Sequence, residues 1–155
     1  MKLGRMIKRA LGTVAAVLVA TQMVYAMGGS DPTPQKPDFE VGKAAIEKED
    51  WNGAIAAFTK VTAEEPKNAD AYNYLGYANR QMKNYEAAFA NYEKALALSP
   101  EHRGANEYIG EAYLQTGNLA KAEEYLAKLR AICYLGCPEY TMLKRAVDGY
   151  KAKQS

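Results

Sequence analysis

The chain has 155 residues, with 20 Lys and Arg against 18 Asp and Glu. Four of the basic residues, Lys2, Arg5, Lys8 and Arg9, precede a short apolar stretch from Ala10 to Val19 and belong to a targeting signal; without them 16 basic residues face 18 acidic ones. That balance offers no basic patch for a nucleic acid, and a chain of this length is one domain's worth with a modest core.

Val24-Tyr25-Ala26 places small residues where a signal peptidase reads, so residues 1–26 are expected to be a signal peptide cleaved after Ala26. The apolar run is weakened by Thr13 and ended by Gln22, short of the roughly 20 residues that span a bilayer. Export to the periplasm is the expected location, with membrane contact only if the segment is retained as an anchor. Residues 27–37, MGGSDPTPQKP, hold three prolines in six residues and read as a flexible tether.

Beyond the tether a period governs the sequence. Pro66 and Pro100 stand 34 residues apart, and the same interval separates Val41-Gly42, Leu75-Gly76 and Ile109-Gly110. It also separates Ala54, Ala88 and Ala122, and the large residues Phe58, Tyr92 and Leu126. A repeat of this length with alternating large and small helical faces predicts stacked helical hairpins. The helix pairs are expected over 39–48 and 51–63, 71–82 and 85–98, and 105–116 and 119–131. Glycine at 42, 76 and 110 lets the two helices of a hairpin cross closely. Pro66 and Pro100 end second helices, because the residue before a proline is pushed out of the helical region.

With Leu-Gly at the seventh and eighth positions, Ala at the twentieth, an aromatic or Leu at the twenty-fourth and Pro at the thirty-second, the sequence resembles the tetratricopeptide-repeat (TPR) family. More narrowly, the turn holding Cys133 and Cys137, followed by Glu139-Tyr140 and the pair Leu143-Lys144, is similar to the ending of small exported TPR proteins of Gram-negative proteobacteria. The resemblance implies an all-α solenoid of three repeats, at about 35–68, 69–102 and 103–136, within a domain spanning 38–150. It also implies a protein-binding scaffold and not an enzyme. In that family the first helix of each repeat lines a concave groove. Carried over by position, repeat one offers Phe39 and Lys43, repeat two Asn73, Tyr77 and Arg80, and repeat three Glu107, Glu111 and Gln115. Relatives that grip a carboxylate use Lys, Asn and Arg, and here Glu107 and Glu111 stand where further basic residues would serve.

From Pro138, the residues Tyr140, Leu143, Val147 and Tyr150 recur at three- and four-residue steps, so 138–150 reads as a capping helix covering repeat three, followed by a disordered tail at 151–155. Cys133 and Cys137 bracket the turn before it. An even cysteine count in an exported chain favours a disulfide between them. A redox-active pair remains the alternative, with a role as an auxiliary factor in a periplasmic redox or cytochrome-maturation route, although the spacing is three residues and not two.

Catalytic patterns are missing. Ser30, Ser99 and Ser155 lie in the tether, a turn and the terminus, without a nucleophile elbow. His102, the single histidine, reads as a solvated turn residue. Neither a cofactor nor a metal is implied. The expected partner is a protein or peptide, with self-association also open.

Overall fold

The computed structural model describes residues 37–154. The expected signal peptide and all of the expected tether except Pro37 lie outside the described residues. Seven helices follow in order: α1 Pro37–Glu47, α2 Trp51–Glu64, α3 Ala69–Gln81, α4 Tyr85–Leu98, α5 Arg103–Gln115, α6 Leu119–Ile132 and α7 Pro138–Ala152. The first six are three hairpins at the expected period. Helix α7 runs two residues past Tyr150, so Lys151 and Ala152 are helical where a disordered tail was expected.

Local chemistry sets the boundaries. Asp50, Asn68, His102 and Asn118 each precede a helix and accept a hydrogen bond from the backbone N–H three residues on, at 2.9–3.1 Å. Each satisfies a donor that the first helical turn leaves unpaired, a contribution of about 1 kcal/mol. Cys137 does the same for α7 through its Sγ, 3.4 Å from the Tyr140 nitrogen. Within each hairpin the turn passes through a left-handed residue, and these too are 34 apart: Glu49 (φ 56°), Lys83 (φ 60°) and Gly117 (φ 82°). Only the third is glycine, the residue that takes this conformation without strain.

Packing follows the repeat. Phe58 and Val61 of α2 are buried with Leu75 and Ala78 of α3, while Ala88 and Tyr92 of α4 are buried with Ile109 and Ala112 of α5. A Cβ added at Gly42 would lie 2.7 Å from the Phe58 ring, and one at Gly76 would lie 2.7 Å from the Tyr92 ring. Repeat three departs from this scheme. The space over Gly110 is filled by Leu143 of α7, whose Cδ2 would stand 2.6 Å from an added Cβ, and not by Leu126. Leu143 and Val147 are fully buried against Leu114, Ala122 and Leu129, with Tyr140 and Tyr150 flanking them. Burying two such side chains stabilises the end of the array by roughly 3–6 kcal/mol.

The backbones of the first helices lie close to one another, α1 to α3, α3 to α5 and α5 to α7, whereas those of the second helices α2, α4 and α6 do not. The array therefore bends with α1, α3, α5 and α7 on its inner side. No helix among the described residues is long and apolar enough to cross a membrane.

Candidate functional site

The inner row carries the polar residues that the packing does not explain. On α3, Asn73, Tyr77 and Arg80 fall on one face, at steps of four and three residues. On α5, Glu107 and Glu111 stand one turn apart facing them. Arg80 is 5 % exposed, and its Nη1 lies 2.8 Å from Oε2 of Glu111. Its guanidinium also sits 5.3 Å from the centre of the Tyr77 ring and 5.5 Å from that of Tyr108. Burial works against the charge on Arg80, but Tyr92, Glu111 and Tyr77 outweigh it and hold its pKa above the usual value. The Tyr77 and Tyr108 rings are 5.0 Å apart, and Trp51 meets Tyr77 edge-on from the other side. An aromatic ladder thus ties the three repeats together beneath the groove.

Glu107 is also buried, at 4 % exposure, but nothing neutralises it. Arg80 is engaged by Glu111, and Arg103 stands 3.9 Å from Glu139 of α7. Burial, followed by repulsion from Glu111 and Glu139, pushes the Glu107 pKa up to about 7 against a small opposing pull from Arg80. Two further acceptors nearby are orphaned: Asn73 Oδ1 and Glu139 Oε2 are buried without a hydrogen-bond partner.

The other groove residues sort differently. Phe39 is withdrawn from the surface at 3 % exposure, edge-on to Phe58 and Tyr74, so the structure places it in the core and not on the groove. Among the described residues no hairpin precedes helix α1, and its aromatic packs into the first hairpin instead. Lys43 is half-buried and reaches back 3.3 Å to Glu40 on its own helix. Gln115 is exposed and lines an open hollow of about 390 Å³ between α5 and α7, with Glu111, Leu114, Arg145, Gly149 and Tyr150. His102 is a correction. Its side chain is 15 % exposed, its Nδ1 caps α5, and its Nε2 lies 2.9 Å from Oδ1 of Asp70 at the start of α3. The hydrogen bond to His102 lowers the Asp70 pKa. Cys133 and Cys137 are joined in a disulfide.

Sequence reasoning missed Glu139, Tyr108 and Arg145. The signal was available for α7: Val41, Leu75, Ile109 and Leu143 are successive 34-residue steps, as are Ala44, Ala78, Ala112 and Ala146. Helix α7 therefore takes the place of the first helix of a fourth repeat. It walls the groove as well as capping the stack.

Two family models, each described as tetratricopeptide repeat, match residues 40–100 and 79–147. Residues 40–147 are tetratricopeptide repeats. No curated protein matches the sequence. Among solved structures, the TPR2B domain of yeast Sti1 in complex with pHsp70 is similar, with a TM-score of 0.70 at 20% identity, covering 75% of this chain and 94% of that one. The Yersinia enterocolitica type III secretion chaperone SycD, in complex with a peptide of the translocator YopD, has a TM-score of 0.67 at 18% identity over 76% of this chain and 92% of its own. MamA is 27% identical, with a TM-score of 0.64, over 72% and 66% of the two chains. The shared feature is the TPR solenoid, and the inner face of its repeats is where this chain concentrates its unpaired polar atoms.

Proposed function

We propose that this TPR protein is an exported periplasmic scaffold that holds a peptide or helical segment of a partner protein in the groove between α3, α5 and α7, on the pattern of small exported proteobacterial TPR proteins. The observation that carries this reading is the open hollow of about 390 Å³ between α5 and α7, together with buried polar side chains without partners elsewhere on the same inner row of helices. A face that exists only to stack helices would be apolar or fully paired. Two of the similar structures support the reading, since one is a complex with pHsp70 and the other a complex with a YopD peptide. The periplasmic location rests on the basic start and Val24-Tyr25-Ala26. The disulfide fits a structural part, because Cys137 also caps the helix that closes the stack.

Selection of randomised displayed peptides against the folded domain tests the groove. Gly149 lines the hollow and has open space around it, so Gly149→Trp fills the site without disturbing the packing. Enriched peptides should bind that variant about tenfold or more weakly than the parent. Peptides that bind both proteins equally would overturn the groove reading. Recovery of the intact chain, still carrying residues 1–26, from the cytoplasmic fraction would overturn the location.

A further inference from the structure

We propose that the groove recognises a basic side chain, lysine or arginine, of its peptide partner, and that Glu107 is the residue that receives it, with the Asn73 carbonyl oxygen as a second acceptor. The inference rests on the groove reading above and names the chemistry of the partner at one position.

Charge pairing leaves one acid over. Three carboxylates, Glu107 and Glu111 on α5 and Glu139 on α7, lie near enough to repel one another. Two cations face them, Arg80 on Glu111 and Arg103 on Glu139. Glu107 is the remainder, and among the described residues it makes no hydrogen bond or ion pair although it is only 4 % exposed. Arg145, on the far side of the hollow, lines the pocket with Glu111 and makes no ion pair with it.

Asn73 points the same way independently. It occupies the same place in repeat two that Glu107 occupies in repeat three, so the two stand side by side on neighbouring inner helices. Its side chain lies against Gly104, one turn before Glu107, with Nδ2 3.3 Å from where a Cβ would be. Asn73 is 4 % exposed, and its Oδ1 has no partner. A buried amide oxygen without a donor costs about 1–3 kcal/mol, and evolution can retain that cost where a ligand supplies the donor. Glu139 Oε2, also buried and unpaired, makes a third acceptor. All three acceptors call for a donor, whereas Arg80 Nε, a buried donor without a partner on the same face, belongs to a guanidinium already held by Glu111.

The ligand should be a long side chain and not a metal ion. Among the described residues no set of three or more His, Cys, Asp or Glu groups converges as a metal site. The chain's own Arg80, seated over Tyr77 and Tyr108 with its end on Glu111, shows how a guanidinium fits this wall.

The test uses peptides enriched by the folded domain whose binding is blocked by Gly149→Trp. They should share a Lys or Arg at one position, and replacing it with Gln should weaken binding about tenfold or more. Glu107→Gln should abolish that difference while leaving the Gln peptide's affinity unchanged. Asn73→Leu, which removes the orphaned acceptor and keeps the side chain's size, should reduce the difference in part. Enrichment of Asp, Glu or a free C-terminal carboxylate at the shared position would overturn the proposal, as would a Lys-to-Gln penalty that is the same in parent and Glu107→Gln. Peptides indifferent to Gly149→Trp would remove the groove reading itself, a separate result.

Discussion

The buried Glu107 makes the stability of the domain depend on pH in a way that its glutamine variant should erase. A carboxyl whose pKa is about 7 when folded and near 4.5 when unfolded binds its proton more tightly in the native state. Its contribution is therefore fully present below the unfolded value and is lost as pH rises through the folded one. Between pH 5 and pH 8 the linkage amounts to a loss of about 2–3 kcal/mol, at about 1.4 kcal/mol for each factor of ten in proton affinity. For a domain of this size that corresponds to a fall of roughly 10 °C in Tm. Gln matches protonated Glu in size and charge, so the advantage of Glu107→Gln over the parent should grow by about 2–3 kcal/mol between pH 5 and pH 8. Urea titrations of both proteins across this range give the difference, in which contributions from Asp70 and every other shared group cancel. Asp70 acts in the opposite sense: its lowered pKa gives stability that is present above the ordinary carboxylate range and lost only in acid. Parallel stability curves for parent and variant would refute the burial and repulsion assigned to Glu107.

Two glycines should respond oppositely to alanine. Gly76→Ala places a Cβ 2.7 Å from the fully buried Tyr92 ring and 3.2 Å from the Ala88 carbonyl, and should cost about 1–2 kcal/mol net of the helix-propensity gain; Gly149→Ala meets nothing within 4 Å and should stabilise by about 0.5–1 kcal/mol, both read by thermal denaturation. Replacing Cys133 and Cys137 together with serine removes a short closed loop worth about 2 kcal/mol, so Tm should fall by several degrees and amide exchange should rise mainly over 133–152. Unchanged exchange in α7 would show that the bond does not hold the cap.

The fold was legible because its determinants are local or periodic. Pro66 and Pro100 announce helix ends, and Gly76 with Tyr92 encodes one small-against-large contact within a single repeat length. Phe39 shows where that logic fails. The repeat rule gives it a groove position because a first helix normally has a neighbour on both sides, whereas α1, the first of the described helices, turns its aromatic inward onto Phe58 and Tyr74. Gly110 fails similarly at the other end, where Leu143 of α7 fills the space that the rule assigns to Leu126.

The site was less legible because its electrostatics run between helices. Glu40 with Lys43 and Lys144 with Asp148 can be read at steps of three and four residues, and both pairs lie on exposed faces, where such contacts are worth at most about 0.5 kcal/mol. Arg80 with Glu111 ties α3 to α5, and Asp70 with His102 ties the start of α3 to the cap of α5, across 31 and 32 residues, so no helical periodicity points to them. Glu107 is the sharper case. Its residue type and place in the groove follow from the repeat, but its character follows from what the nearby arginines are already doing. Had Arg80 reached Glu107 in place of Glu111, the same sequence would present an exposed-edge carboxylate and a satisfied interior. The pairing chosen by the fold leaves the deeper acid unpaired, and that choice turns an inner helix face into a seat for a positive charge.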